Sequence, residues 1–490
     1  MSKIQSGTRR GQLFRCDMEY EPVMGLEVHL QLATKTKAFC GCSTLFGQRP
    51  NSQTCPVCLG FPGSLPKLNR QAFFYGIKVA FALNCKIQKN IKFDRKNYYY
   101  PDLPKNFQIS QYDEPIAVNG FVNISVGNGI KKICIKRVHL EEDAGKLIHD
   151  TGGDYSFVDY NRAGIPLLEI VTEPDLNSPQ EAYDYLTNLK STLKYLGVSD
   201  CDMEKGSLRC DANISVRPKG ADALGAKVEL KNMNSFKSVK NGLEYEVKRQ
   251  VDAIRDGEKI VQETRLWDAD KCITTSMRSK EEAHDYRYFP EPDLVPFVNA
   301  MSRDQMDIPE LPEEKAMRFK SEFSLSDYDV GVLVADKSIA DYFEECIKLY
   351  NKPKVVANWI AGDIMAELNL KNVTIKELGI LPDGLTGLLK MIDSGVINGK
   401  MAKEILLEAI ETKHRPEDIV KEKGLSQISD AGQLEKVVKA ILDKNQKSVN
   451  DYKGGKKNAL TFLVGQIMKE TKGKANPSMV NEILKKSLGE

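Results

Sequence analysis

The 490-residue chain is 41% hydrophobic and 28% charged, the balance of an ordinary globular protein, and it is too long for a single hydrophobic core. No apolar run approaches the roughly 20 residues needed to cross a bilayer, and a net charge of +2 does not by itself point to a polyanionic partner. The 11 cysteines are odd in number and follow no secretory signal, which argues for burial or metal binding over a disulfide framework.

Residues 1–20 carry Lys3, Arg9, Arg10 and Arg15 ahead of the first acid, Asp17, and read as an N-terminal extension. From 21 to 308, short β-branched runs are broken by Gly, Pro and Asn. Those at 23–32, 130–138, 165–171 and 212–216 predict strands of a mainly antiparallel sheet. Helices are predicted over 70–83 and 179–196, the second with Ser178 as cap and Pro179 in the first turn, where a missing amide costs nothing. Past the proline-rich stretch at 289–296 the pattern turns helical, over 313–323, 339–349, 354–367, 385–394, 400–410, 433–444 and 459–469. The expected class is α+β: an antiparallel cradle over 21–308, a helical domain over 309–420 and a helical tail over 421–490. Residues 431–490 hold 12 Lys against 6 acids, a local net of +6 that leaves −4 elsewhere. Such a tail suits a polyanion partner, or is a solvated helical face.

Four cysteines in two close pairs, Cys40-Gly-Cys42 and Cys55-Pro-Val-Cys58, suit tetrahedral Zn²⁺ in a closed, structural site. Glu27 and His29 are two apart on a predicted strand and share a face, opposite Leu26 and Val28. Glu169 stands between Leu167, Leu168, Ile170 and Val171, where an acid is unusual. Further acids lie in His139-Leu-Glu-Glu-Asp-Ala-Gly-Lys146, Asp211-Ala-Asn-Ile-Ser215 and Glu229-Leu-Lys-Asn-Met-Asn234. Several carboxylates around one pocket would serve Mg²⁺ with a nucleotide, although spacing alone does not bring them together. Arg95, Lys96 and Lys105 bracket Tyr98, Tyr99 and Tyr100, offering stacking faces and phosphate-seeking charges, or a strand edge with amphipathic rings. The sequence contains no Walker-type phosphate loop, no Gly-x-Ser-x-Gly elbow, no kinase His-Arg-Asp set and no Gly/Ser-rich amidase signature, so it is not expected to hydrolyse glutamine itself.

Read together, Gly25-Leu-Glu-Val-His-Leu-Gln-Leu32, the run from Lys92 to Lys105, His139 to Lys146, Gly206 to Ser215, Glu229 to Phe236 and Asp285-Tyr-Arg-Tyr-Phe-Pro-Glu-Pro-Asp293 resemble the B subunits of aspartyl/glutamyl-tRNA(Asn/Gln) amidotransferases, the GatB family. The resemblance runs from about Pro22 to the end, where Phe462–Lys469 and Ala475-Asn-Pro477 are similar to a YqeY-type tail.

The resemblance implies a cytoplasmic carbon–nitrogen ligase that works in a heterotrimer with two partners, the amidase GatA and the small protein GatC, with no membrane. Its reaction would be ATP-dependent phosphorylation of the side-chain carboxylate of misacylated Glu-tRNA(Gln) or Asp-tRNA(Asn), then attack by ammonia delivered from the amidase. Carried over by position, Glu27, His29, Glu142, Glu169 and Glu229 would line a Mg²⁺ (or Mn²⁺) site, with Glu142, Glu169 and Glu229 catalytic. Lys96 and Lys105 would face the ATP phosphates, and Cys40, Cys42, Cys55 and Cys58 would hold structural Zn²⁺. Lys453, Lys456, Lys457, Lys472 and Lys474 would grip tRNA. The competing reading is a non-catalytic tRNA-binding scaffold.

Overall fold

The computed structural model describes residues 18–127, 129–149, 153, 155–279, 285–424, 431–454, 456, 458–471, 475 and 477–488. It divides into two compact units, Met1–Leu311 and Pro312–Glu490.

The first unit is organised by the strand Tyr20–Gln31. Met24, Leu26, Val28 and Leu30 are buried on one face, while Glu27, His29 and Gln31 alternate onto the other. This strand is flanked by Pro166–Thr172 and Leu208–Pro218, both antiparallel, in a nine-stranded sheet. Gly129–Glu142 lies beyond Pro166–Thr172, and Val228–Lys231 lies beyond Leu208–Pro218. One pairing, Val228–Lys231 with Glu263–Asp268, is parallel. Helices Arg70–Ala82, Pro179–Leu196 and Phe236–Arg255 bury their apolar sides against the sheet's apolar face, forming one continuous core. These helices do not cover the opposite, polar face.

The expected strands are present, and Gly129–Glu142 and Leu208–Pro218 run beyond the β-branched stretches into polar positions. Helix Pro179–Leu196 has the expected bounds, with the Ser178 hydroxyl accepting from the Glu181 amide and Gly197 in the left-handed conformation closing it. The helix Phe236–Arg255 was not expected from the sequence. It begins at Ser235, whose side chain caps the Ser238 amide, immediately after the acid-and-amide motif at 229–234.

The named elements of the second unit are all helices, and its buried apolar residues form two separate clusters, 319–420 and 434–488. The single helix expected over 354–367 is instead Pro353–Trp359, a π turn over Ile360–Ile364, and Met365–Lys371. Apolar spacing alone does not distinguish a π turn from continuous α-helix, which is why the interruption was not visible. Among the described residues no helix is long and apolar enough to cross a membrane. The N-terminal extension to Asp17 and the tail lysines Lys457, Lys472 and Lys474 lie outside the described residues.

Leu30 is wholly buried on the core face of the strand that carries His29. Leu30→Ala should lower the unfolding free energy by about 2–5 kcal/mol through lost burial and the cavity left behind. An unchanged urea midpoint would contradict the core assignment.

Candidate active site on the open sheet face

Three adjacent strands place the functional side chains. Strand register sets His29 opposite Glu169, and Glu169 opposite His139. Two residues along, Glu141 joins the same face as His139, because side chains on a strand alternate. The result is a compact cluster. His29 Nε2 is 3.5 Å from Glu169 Oε2 and 4.0 Å from Glu141 Oε1. His139 Nε2 is 3.2 Å from Glu169 Oε2 and 3.6 Å from Glu141 Oε2. Ser110 donates its hydroxyl to Glu141 at 3.1 Å. Arg137 Nη2 stands 4.0 Å from the other Glu169 oxygen.

Both carboxylates are buried, and so is His139, while His29 keeps some exposure at the edge. Burial alone would neutralise these acids, but His139 and Lys96 outweigh it at Glu141 and hold that carboxyl below its usual range. Glu169 is driven well below its ordinary value, because the charges and hydrogen bonds of His139 and His29 overcome its desolvation. In turn, burial disfavours the His139 imidazolium, yet Glu169 and Glu141 raise its pKa to about 9. Lys96 is likewise raised, its desolvation overcome by Glu141. Its ammonium lies 4.9 Å from the Tyr286 ring centre and 5.9 Å from that of Tyr98, inside a group of tyrosines completed by Tyr288 and Tyr112.

His29, Glu141 and Glu169 place one ligand atom each within 4.8 Å of one another. Two carboxylates and an edge imidazole fit Mg²⁺ or Mn²⁺, which would need water or phosphate oxygens to complete its sphere.

The five residues expected to line one metal site are therefore not all in one place. His29 and Glu169 are together, joined by Glu141. Glu27 lies further along the same face, accepting from Asn213 Nδ2 at 2.8 Å. Glu229 lies two strands from the Glu27 strand, accepting from Thr264 Oγ1 at 2.8 Å and pairing with Lys231 at 3.1 Å. Glu142, expected at the metal site and catalytic, stands apart from the cluster, since it alternates to the other face of its strand. There it accepts the Ile109 amide at 2.9 Å and is bonded to Lys105. Val138 and Leu140 are buried apolar residues and mark the core face, so His139 and Glu141 had to share the polar face. That alternation is the signal in the sequence that would have selected Glu141 and His139.

Glu142 and Lys105 line a cavity of about 230 Å³, together with Lys37, Cys58, Arg95 and Glu291. A second cavity of about 230 Å³ opens on the polar face beside Glu27, bounded by Lys136, Asn213, Leu224 and Lys227.

Cys40, Cys42, Cys55 and Cys58 also bring all four sulfurs within 4.8 Å of one another, and an all-thiolate set fits Zn²⁺. The Cys58 thiol is held well below its ordinary value, chiefly by hydrogen bonding from Cys40, so it is ready to serve as a thiolate ligand. The Cys55 amide also donates to it, at 3.2 Å. In the tail, Lys453 and Lys456 are exposed, Lys456 pairing with Asp451 at 3.0 Å.

A family model described as the GatB/GatE catalytic domain matches residues 22–303, and one described as the GatB domain matches 341–488. The B subunit of the aspartyl/glutamyl-tRNA(Asn/Gln) amidotransferase from Caldanaerobacter subterraneus subsp. tengcongensis is 54% identical over 474 residues, spanning 96% of this chain and 100% of its own. The proteins of the same name from Carboxydothermus hydrogenoformans and Brevibacillus brevis are 54% and 52% identical, each across 96% of this chain and 99% of their own. With its cradle matched by the catalytic-domain family and nearly its whole length by such relatives, the chain belongs to the GatB family, the B subunits of aspartyl/glutamyl-tRNA(Asn/Gln) amidotransferases.

Proposed function

We propose that the chain is the transamidating subunit of a glutamine-dependent amidotransferase, acting on misacylated Glu-tRNA(Gln), Asp-tRNA(Asn) or both. The observation that carries this reading is the His29–Glu141–Glu169 cluster, buried yet charged, on the polar face of the sheet. In the first step the side-chain carboxylate of the aminoacyl group attacks the γ-phosphorus of ATP, forming an acyl phosphate and ADP. In the second, ammonia attacks the acyl carbon and phosphate leaves with the bonding pair. Carboxylate and amine do not condense in water at neutral pH, so the phosphate supplies the leaving group that hydroxide could not be.

A Mg²⁺ held by His29, Glu141 and Glu169 would supply charge neutralisation at the phosphates. His139 holds the two carboxylates ionised, and Arg137 stands 4.0 Å from Glu169. Lys96, fixed among tyrosines and facing Glu141, is the cation proposed to meet the transferred phosphoryl group. The cavity beside Glu27, with Lys136 and Lys227 on its rim, is proposed to take the nucleotide. Lys105 and Glu142, on the other side of their strand, are proposed to line the route by which ammonia arrives from the amidase GatA. The small protein GatC would complete the heterotrimer.

The test is reconstitution with GatA and GatC on each misacylated tRNA. Amide formation requiring both ATP and glutamine supports the reading. ATP left uncleaved in the presence of misacylated tRNA that the complex binds would leave a tRNA-binding scaffold in its place.

The tail from about Gly432 is proposed to supply tRNA affinity without a catalytic group, through Lys453 and Lys456 and the further lysines Lys457, Lys472 and Lys474. Truncating it should raise the KM for tRNA and flatten its salt dependence by roughly 0.7–0.9 in log–log slope for each phosphate no longer neutralised. Binding curves at several salt concentrations that stay parallel after truncation would rule out the electrostatic tail.

A further inference from the structure

Lys37 takes no part in the reaction set out above, yet its side chain is wholly buried. A lysine buried to this degree needs an anionic or hydrogen-bonding partner for its head group. Among the described residues, no carboxylate pairs with it. Its Nζ instead donates to the Tyr160 carbonyl at 3.2 Å and lies 3.7 Å from Cys58 Sγ, within N–H···S range. The backbone fixes it there from two sides. The Lys37 amide donates to the Cys42 carbonyl at 3.0 Å, and the Ala38 amide to the Gly164 carbonyl at 2.8 Å. Gly164, at φ +88°, brings its backbone so close that an added Cβ would sit 3.3 Å from Lys37 Cδ and 3.5 Å from Cys58 Cβ.

Four thiolates around one Zn²⁺ leave a net charge of −2, which is costly in a partly buried loop without a counter-charge. We propose that Lys37 is the positioning residue of the cysteine site: its buried ammonium hydrogen-bonds the Cys58 thiolate and offsets the surplus negative charge of the zinc–tetrathiolate centre. Partners that orient and balance metal ligands typically account for roughly 10–100-fold in metal affinity. The inference rests on zinc being held by Cys40, Cys42, Cys55 and Cys58, and it adds a role that the ligand set alone does not contain. It also ties the metal loop to the cavity wall, since Lys37, Cys58 and Glu142 line the same space.

The test is competition between the full-length, zinc-loaded chain and a chromogenic chelator, for the wild type, Lys37→Met and Lys37→Gln. Lys37→Met keeps the apolar stem and should weaken zinc retention roughly 10–100-fold; Lys37→Gln keeps a hydrogen-bond donor without charge and should fall between. Each substitution is then repeated with Cys42→His, which converts the ligand set to three thiolates and one neutral imidazole and lowers the surplus charge by one. If charge is the cause, the loss from Lys37→Met or Lys37→Gln must shrink in that background. Should Lys37→Met not fold, the Lys37→Gln pair decides alone. Equal zinc retention in wild type and variants would overturn the proposal, as would a loss of the same size in both backgrounds, which would mark Lys37 as packing only. A wild-type chain that purifies without zinc and takes none up overturns it too, but by removing the metal rather than the role of Lys37.

Discussion

Glu169→Gln should abolish acyl phosphate formation in the reconstituted complex, reducing misacylated-tRNA-dependent ATP cleavage at least ~100-fold. The substitution preserves size and shape but removes one charge from the pair that faces His29. It also removes the acid most responsible for keeping the buried His139 charged. Two imidazoles would then stand beside a neutral amide, and the site would offer a cation one carboxylate instead of two. Mn²⁺ binding to the variant, followed by electron paramagnetic resonance, should weaken in parallel. Glutamine hydrolysis by the proposed amidase partner should persist, because this chain carries no amidase signature of its own. Glu142→Gln is the informative control. Its side chain is on the other face with Lys105, so Mn²⁺ affinity should remain that of the wild type. Full Mn²⁺ affinity and ATP cleavage in Glu169→Gln, or loss of Mn²⁺ from Glu142→Gln alone, would return the metal to the set first expected from the sequence.

Cys55→Ser should release zinc and destabilise the cradle by more than about 4 kcal/mol, the range reserved for losing a metal or a comparable constraint. The reason lies in what else supports this loop. Between the first strand and helix Arg70–Ala82, only Ala38, Phe39 and Cys58 are buried apolar residues beyond Leu32. Leu45, Phe46, Phe61 and Leu65 are exposed and contribute nothing to a core within this chain. Hydrogen bonds from Asn51 and Asn161 pin the loop to residues 158–161 at its edge, but a loop this poor in buried surface depends on the cysteine cluster for its shape. Elemental analysis together with limited proteolysis over residues 40–69 would check this. Full zinc content and unchanged cleavage in the variant would show that the thiols do not organise the loop.

Sequence by itself determined what depends on neighbours along the chain. Alternation in Tyr20–Gln31 placed Glu27 and His29 on one face, and the Ser178–Pro179 start located a helix. The two short cysteine spacings are joined by a loop brief enough to close on itself, so their convergence was legible too. The distribution of lysines over 431–490 belongs to the sequence alone.

Tertiary structure decided what depends on strands meeting. His29, Glu141 and Glu169 come from three separate strands, and their proximity follows from the register that sets His29 against Glu169 and Glu169 against His139. A slip of one residue would turn every one of these side chains to the opposite face, so register carries information that no local pattern holds. The choice between Glu141 and Glu142 turned on this face assignment: adjacent and chemically identical, one meets the histidines and the other meets Lys105. The role of Lys37 was hidden for the same reason. Nothing along the chain distinguishes it from Lys35, but folding buries one side chain against the Cys58 sulfur and leaves the other exposed to water.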